Sequence, residues 1–453
     1  MAKPSLECQP ARQCTDGAMH VCVIVGSLRS CVYLFVFSPS QLSTFPGLGP
    51  ALMHILAFIH HYHTPDCATA VRPYSLVRHL ARNHDVTLIT TDAWRSRRHT
   101  DEFQWVPDNV RLIEYDVTYR NAMGTSERVI AFAKFAARAL ADGIRGTKPD
   151  VIFATSTPLS TGLVGALVAR WHRVPWVFEV RDLWPDFPIQ MGALRSPVLR
   201  SLLYRLESFL YRNASHVIGL SPDMTDHVQQ IAPQTAASTV LYGSDLDFHR
   251  AVSDEDVARM RAIAGKDAPM TVLYAGSFGR ANAIPSLIEV ARKLQHRSDI
   301  RFVMTGEGYH AETVRQAERA LDNLTRIPPL PHHQAVALFA AADVSLVSFA
   351  DVPVLSSNSP GKLFDSLAAG TPVVVTNPGW TADVVRENRC GWVVPPEDVS
   401  AMAKTLVELR DRPQTLQEAS TNALEIGRKR LQRSQAVKEI ERVLLTSVVN
   451  EIS

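Results

Sequence analysis

One segment of the sequence, SNSPGKLFDSLAAGTPVVV at residues 357–375, carries residue types that could hold a phosphate. A polar loop leads into a predicted helix that ends at Gly370, before a short apolar strand. Lys362 and Asp365 are three residues apart, so they share one face of that helix. The N–H groups and dipole of a helix N-terminus favour an anion, Lys362 adds positive charge, and Asp365 could accept hydrogen bonds from sugar hydroxyls. The local chemistry suits a nucleoside diphosphate.

The same spacing also has a plainer interpretation, since a lysine and an acid one helical turn apart are usually a solvated surface pair. The segment, however, resembles the donor-binding motif of retaining glycosyltransferases of family 4 (group 1), in which seven residues separate two Glu. Asp365 matches the second acid, Lys362 matches the lysine that grips the donor phosphates, and Ser357 replaces the first acid. This serine version resembles the amino-deoxysugar transferases of surface polysaccharide biosynthesis. The resemblance implies donor contacts from the loop residues Ser357, Asn358, Ser359, Pro360 and Gly361.

A second segment, YAGSFGRAN at residues 274–282, places a glycine-rich turn after a predicted strand. Such a turn is usually only a turn, but its glycines let the backbone approach an anion that the Arg280 guanidinium could grip with paired donors. The resemblance implies that Arg280 and Lys362 both hold the β-phosphate and stabilise the charge on the leaving nucleotide. The other donor-binding residues that it implies here are Gly276, Phe278, Gly279 and Asn282.

Two stretches further along give weaker signals. TGEGYHAE at residues 305–312 is most simply a turn from a strand to a helix, and the resemblance implies that Gly306 and Glu307 contact the nucleotide base and ribose. IPPLPHHQ at residues 327–334 resembles the family stretch that frames the base.

The loop FEVRDLWPDFP at residues 178–188 is the most unusual sequence in the first half of the chain. Its charged residues are Glu179, Arg181, Asp182 and Asp186. They form either a structural ion-pair network or part of an acceptor site. Many relatives have His-Asp-Leu-Trp here, and Arg181 stands at the histidine position. The resemblance therefore leaves Asp182 as the candidate that positions the acceptor or the donor sugar, with Arg181 and Trp184 on the acceptor side.

The stretch HHYHTPD at residues 60–66 raises the question of a metal. Its histidines do not converge on one helical face, and no second cluster of soft ligands follows, so we predict neither a metal nor any other cofactor. The resemblance implies a first-domain loop that reaches the donor phosphates and the acceptor. His61 and Thr69 are its predicted acceptor-side residues.

The composition excludes several classes of protein. With 453 residues, 46% of them hydrophobic, the chain is long enough for two α/β domains. Its 47 basic and 45 acidic residues give a net charge of +2 and no electrostatic case for nucleic acid as a partner. There is no C-x-x-C pair among the six cysteines, and Cys67 and Cys390 fit reduced thiols in a cytoplasmic enzyme.

Apolar runs alternate with helical patterns from Met53 onward, as they do in parallel sheets. The resemblance implies the GT-B fold, in which two Rossmann-like, doubly wound parallel-sheet domains face each other across a cleft. We predict an N-terminal acceptor-binding domain at residues 53–222, a nucleotide-sugar-binding domain at 223–430, and a C-terminal helix at 431–453 that crosses back. We predict strands at residues 55–59 and 240–242, among others. Residues 1–52 are predicted to be a disordered leader or an extension outside the natural protein.

The stretch RSPVLRSLLYRLESFLYRN at residues 195–213 predicts an amphipathic helix. Its apolar face would either pack against the sheet of the first domain or lie on a membrane surface. Its predicted apolar residues are Val198, Leu199, Leu202, Leu203, Leu206, Phe209 and Leu210.

Together these patterns predict a retaining, metal-independent glycosyltransferase. The resemblance implies transfer of an N-acetylated amino-deoxyhexose from UDP to a lipid-linked or saccharide acceptor of a surface polysaccharide, such as lipopolysaccharide or capsule, at the inner face of the cytoplasmic membrane. One alternative is a non-hydrolysing nucleotide-sugar epimerase, which needs an acid/base cluster that the sequence does not reveal. The other is a catalytically silent nucleotide-sugar-binding subunit, which Ser357 in place of an acid would fit.

Overall fold

A computed structural model describes residues 52–69, 71–118, 123–265 and 270–452. The predicted leader therefore lies outside the described residues, apart from Leu52. The first sheet contains β1 (His54–Phe58), β2 (Asp85–Thr91), β3 (Val110–Tyr115), β4 (Val151–Thr155), β5 (Trp176–Val180), β6 (His216–Gly219) and β7 (Ala237–Thr239). The second contains β8 (Met270–Ala275), β9 (Ile300–Thr305), β10 (Leu324–Ile327), β11 (Val344–Val347), β12 (Val373–Val375) and β13 (Gly391–Val393).

Helices cover both sheets. In the first half they are α1 (Arg72–Leu80), α2 (Thr125–Arg145), α3 (Leu159–His172), α4 (Asp186–Gln190), α5 (Pro197–Asn213), α6 (Pro222–Ile231), α7 (Leu246–Ala251) and α8 (Asp254–Ala264). In the second they are α9 (Ile284–Lys293), α10 (Ala311–Ala320), α11 (His332–Ala341), α12 (Gly361–Ala369), α13 (Trp380–Glu387), α14 (Val399–Asp411), α15 (Pro413–Lys429) and α16 (Arg433–Ile452). Short 3-10 segments are Arg95–Arg97, Arg280–Asn282 and Pro353–Ser357. No helix of this described part is long and apolar enough to cross a bilayer.

Both sheets are parallel and doubly wound. The strand orders are β3-β2-β1-β4-β5-β6-β7 and β10-β9-β8-β11-β12-β13. In each, the order reverses beside the first strand, at β1/β4 and at β8/β11, where ligands bind beyond the carboxyl ends of the strands. The central strands β4, β5, β8 and β11 are buried along their whole length and are mostly apolar, because helices cover both of their faces. The prediction of two doubly wound parallel-sheet lobes is confirmed.

The first sheet extends beyond residue 222, the predicted end of the N-terminal domain. Its last strand, β7, pairs in parallel with β6. The prediction of a strand at residues 240–242 is wrong, because β7 ends at Thr239. The carbonyl groups of Val240, Leu241 and Tyr242 instead accept hydrogen bonds from the guanidinium of Arg72, at 3.2, 2.8 and 3.3 Å. A buried side chain from the start of α1 thus replaces a neighbouring strand.

Arg72 also forms a buried ion pair with Glu179 at the end of β5. The Nη2 to Oε1 distance is 2.8 Å, and both side chains are almost completely buried. The pair ties the beginning of α1 to the middle of the first sheet and to the segment that leaves that lobe.

The last helix, α16, packs against the first lobe. Its buried residues Val437, Ile440 and Leu444 belong to the same hydrophobic cluster as β1 and α1. The Glu441 carboxylate lies 2.8 Å from Nε2 of His79 and 3.0 Å from Nε2 of His84. The chain therefore passes between the lobes twice.

The two passages contact each other. The Ser244 N–H donates to the Leu431 carbonyl at 2.8 Å, and the Arg433 N–H donates to the Ser244 carbonyl at 2.8 Å. Gly243 has a φ of 66°, and a Cβ there would lie 2.7 Å from the Arg433 nitrogen, so the close approach requires glycine.

Candidate active site

Lys362 lies in the first turn of α12, at the carboxyl edge of the second sheet. Its Nζ is 4.0 Å from the centroid of the Tyr274 ring and, among the described residues, has no hydrogen-bond partner. Gly276, with a φ of 146°, leaves room for the amine, because a Cβ there would come within 3.1 Å of Nζ. Burial lowers the pKa of Lys362 to about 7. An anion would restore the charged form.

Two more buried polar atoms immediately precede this helix. Asn358 Oδ1 and Ser359 Oγ also lack hydrogen-bond partners in the described structure. Buried polar groups are nearly always paired, so three unpaired atoms within five residues indicate a place where a ligand completes the bonding. The first turn of a helix is suited to a phosphate. The loop and lysine that the sequence predicted to bind the donor are thus brought together here.

Ser357, at the position of the missing acid, is buried at the end of a 3-10 turn. Its hydroxyl donates to the Val354 carbonyl at 2.8 Å, and its own carbonyl accepts a hydrogen bond from Ser221 Oγ at 2.6 Å. These bonds close the loop and link it to the first lobe. A direct contact of Ser357, Pro360 or Gly361 with the donor stays a prediction.

The two glycine loops of the second lobe lie side by side. A Cβ on Gly306 would be 1.8 Å from the Gly276 carbonyl oxygen, so this approach excludes any side chain. The Phe278 N–H donates to the Glu307 carbonyl at 2.9 Å. The Phe278 ring is completely buried and stacks on Tyr274. The Phe278 side chain thus supports the loop from beneath, and its predicted contact with the donor stays a prediction.

Arg280 follows the first glycine loop and is exposed. Its guanidinium carbon lies 4.0 Å above the centroid of the Tyr309 ring, on the second glycine loop. The Asn282 N–H donates to the Gly279 carbonyl at 3.1 Å and closes the turn. Lys362 contacts the start of this loop at Gly276, whereas Arg280 follows its end. Convergence of the two cations on one phosphate stays a prediction.

Glu307 makes an ion pair within the second lobe. Its Oε1 lies 2.8 Å from Arg326 Nη2 on β10, and its side chain is about half exposed. Its predicted contact with the nucleotide remains a prediction.

Asp365 occupies the centre of a buried network between the lobes. Ser244 Oγ donates to Oδ1 at 2.6 Å, His332 Nε2 lies 3.1 Å from Oδ2, and His249 Nε2 lies 3.8 Å from Oδ1. Burial alone would raise the pKa of Asp365, but the two histidines outweigh it and hold the pKa well below its usual range. Both carboxylate oxygens therefore have partners within the protein. This differs from the open acceptor for sugar hydroxyls that the sequence suggested.

The histidine-rich loop of the first lobe lies against the start of α11. The His332 N–H donates to the Cys67 carbonyl at 3.0 Å. Burial, reinforced by the positive charge of Arg181, lowers the pKa of His63 to about 3 and that of His61 well below its ordinary value. Thr69 Oγ1 lies 3.3 Å from His63 Nε2. Of the predicted acceptor-side residues, Thr69 thus contacts His63, and Arg181 and His61 lie close enough to interact with it electrostatically. The sequence did not single out His63.

Asp182 faces a tight turn after β4. Thr157 Oγ1 donates to Asp182 Oδ2 at 3.0 Å. Burial raises the pKa of Asp182, against opposing effects of Thr157 and Arg181. The indole nitrogen of Trp184 is buried, and the described residues offer it no partner.

The other two acids of this loop are structural. Glu179 pairs with Arg72, and Asp186 Oδ1 accepts a hydrogen bond from the Tyr204 hydroxyl at 2.5 Å. In the described ranges, no three His, Cys, Asp or Glu side chains form a group that could hold a metal ion.

Two family models match the chain, one on each lobe. A glycosyl transferase 4-like domain matches residues 68–243, and a glycosyl transferases group 1 domain matches residues 269–412. The chain therefore belongs to the group 1 family of GT-B glycosyltransferases.

The chain is also similar to individual members. Probable glycosyltransferase WbjE of Pseudomonas aeruginosa is 23% identical over 272 residues, which are 58% of this chain and 67% of WbjE. The structure of HepE from Anabaena in complex with UDP-glucose has a TM-score of 0.63 at 16% identity and covers 87% of this chain and 100% of that chain. The structure of WaaG, a glycosyltransferase involved in lipopolysaccharide biosynthesis, has a TM-score of 0.61 at 15% identity and covers 86% of this chain and 99% of that chain. At these identities the structural likeness establishes the GT-B fold.

Proposed function

We propose that this protein is a retaining, metal-independent glycosyltransferase. It moves an N-acetylated amino-deoxyhexose from UDP to a lipid-linked or saccharide acceptor of a surface polysaccharide, at the inner face of the cytoplasmic membrane. The observation that carries this proposal is the buried amine of Lys362 at the α12 N-terminus, which has no hydrogen-bond partner in the described part of the chain. The UDP-glucose bound by HepE and the lipopolysaccharide role of WaaG support the nucleotide and the process. The sugar is inferred from the serine form of the donor motif.

Each residue of the site has its own role in such a transfer. Lys362 and the N-terminus of α12 hold the diphosphate and stabilise the negative charge that develops as the nucleotide leaves. Asn358 Oδ1 and Ser359 Oγ provide acceptors for donor hydroxyl groups or N–H groups. Asp182 lies at the carboxyl edge of the first sheet and positions the acceptor or the sugar. His61 and His63 are neutral, so they add no charge that would compete for the diphosphate.

A donor panel tests the proposal. The protein is incubated with UDP-, GDP- and dTDP-sugars and a lipid extract, with and without a chelator, and free nucleotide and glycosylated lipid are measured. We expect nucleotide release and sugar on lipid from a UDP-sugar, with the chelator making no difference and the product keeping the anomeric configuration of the donor. An isomerised sugar without nucleotide release would mean an epimerase. Binding of the nucleotide-sugar without turnover would mean a silent subunit.

The affinity for UDP should fall as the pH rises above about 7. In the free protein the pKa of Lys362 is about 7, so its amine is mostly neutral above that pH. The bound diphosphate favours the charged amine, so binding takes up a proton, and the dissociation constant rises by up to about tenfold per pH unit. Titration calorimetry in buffers of different protonation enthalpy measures this uptake. Lys362→Arg should abolish the dependence, since arginine stays charged. If UDP affinity depended on pH in Lys362→Arg as it does in the wild type, Lys362 would not be the group that takes up the proton.

A further inference from the structure

The outer face of α5 is apolar and exposed, so the helix does not bury its whole apolar stripe against the sheet. Val198, Leu202 and Phe209 are exposed by 71, 54 and 43%, and their spacing places them on one side of the helix. Leu210, about 100° further round the helix than Phe209, is buried. A helix that packed its whole apolar stripe against the sheet would bury all four.

The apolar face continues on neighbouring helices. α3 packs against both α2 and α5, and it exposes Leu167 by 39% and Trp171 by 63%. At the start of α2, Val129 and Ile130 are exposed by more than half. Nine of the thirteen large hydrophobic side chains that are exposed in the described structure lie on these three helices, so the distribution is not random. We call the α2, α3 and α5 surface the three-helix face.

The charges on this surface around α5 and α3 are positive. Arg205 and Arg212 are exposed on α5, and Arg170 is exposed on α3. The one acid within α5, Glu207, is buried and lies 2.8 Å from His227 Nε2. α2 carries charges of both signs. Apolar side chains interspersed with arginines and a tryptophan are typical of a helix that lies in the headgroup region of an anionic bilayer.

The location of α5 also connects this surface to the cleft. The loop that carries Asp182 and Trp184 leads through α4 directly into α5. In α4, Gln190 Oε1 accepts a hydrogen bond from the Val354 N–H at 2.8 Å, in the turn that ends at Ser357. A lipid surface on α5 would therefore lie beside the segment that joins the acceptor side to the donor loop.

We propose that the three-helix face binds an anionic lipid surface, with Val198, Leu202 and Phe209 entering the headgroup region and Arg205 contacting lipid phosphates. This inference rests on the proposed function in that a lipid-linked acceptor would be delivered from the same surface. The binding itself needs neither donor nor transfer.

Vesicle sedimentation tests this binding in the full chain, without nucleotide. The wild-type protein should bind vesicles of phosphatidylethanolamine and phosphatidylglycerol and leave phosphatidylcholine vesicles largely unbound. Val198→Gln/Leu202→Gln should lower the partition coefficient about tenfold or more. Arg205→Gln should lower it about fivefold, and less at high salt. The control Ile263→Gln/Val449→Gln, which changes two aliphatic residues that are 48 and 47% exposed elsewhere on the protein, should bind as the wild type does.

Two results would overturn the inference: wild-type protein that does not sediment with anionic vesicles, or a Val198→Gln/Leu202→Gln variant that sediments as well as the control. A concentration-dependent dimer in sedimentation velocity that the same variant abolishes would assign the face to a second copy of the chain instead. Nucleotide release with a water-soluble acceptor is measured in parallel. Its absence would count against the proposed function and leave the vesicle result unaffected.

Discussion

Replacing Lys362 with alanine should lower kcat/KM for sugar transfer by about 10²- to 10³-fold. The amine at the α12 N-terminus has no hydrogen-bond partner among the described residues, and in the proposed transfer it stabilises charge that is greatest as the nucleotide leaves. That loss corresponds to about 3–4 kcal/mol of transition-state stabilisation. Initial rates of nucleotide release, with the best donor of the panel, measure it.

The matched control is Lys404→Ala, which removes a lysine that is 79% exposed on α14 of the same lobe. It should leave the rate unchanged. Removal of Lys362 also removes a buried amine, so the thermal stability of the unliganded variant should not fall, and a lower rate cannot be ascribed to unfolding. Transfer by Lys362→Ala within threefold of the wild type would refute the central role given to this residue.

Replacing Arg72 with methionine should lower the free energy of unfolding by about 3–5 kcal/mol. The change leaves the Glu179 carboxylate buried without its cation and removes the donors to three carbonyl groups at the exit from the first lobe. Calorimetric and urea unfolding of the full chain measure the effect.

Arg82→Met, at an exposed position just after α1, is the control and should change stability by less than about 0.5 kcal/mol. Adding Glu179→Gln to Arg72→Met should recover part of the loss, because a neutral amide is less costly to bury than an unpaired carboxylate. A single Arg72→Met variant as stable as the wild type would mean that the ion pair makes no net contribution.

The sequence predicted the structural features that depend on a local pattern of residues. Continuous apolar runs identified most strands of both sheets, since strands buried on two faces have no polar alternation. The glycine turn at residues 276–279 and the helix that begins before Lys362 were also readable, because turn and cap signals are local. The segment that leaves the first lobe was misjudged, since β7 at Ala237–Thr239 is too short and polar to stand out.

The sequence did not predict partnerships between distant residues. Ser244 binds Asp365 across 121 positions, and Arg72 binds Glu179 across 107. No spacing rule connects such pairs, so Asp365 looked like an open acceptor although the fold surrounds it with partners. The sequence left the location of the apolar face of α5 open for a related reason. Helical periodicity shows that an apolar stripe exists, but only the tertiary packing decides whether it is covered.

The double passage of the chain between the lobes affects how the protein would respond to cleavage. A cut in the first passage, near Ser244, would leave a second fragment that still carries α16, a helix of 20 residues whose apolar side is buried against the first fragment. The halves would stay associated after the peptide bond is broken. The two pieces, produced separately, are therefore suited to fragment complementation, with the terminal helix of one acting as the anchor on the other.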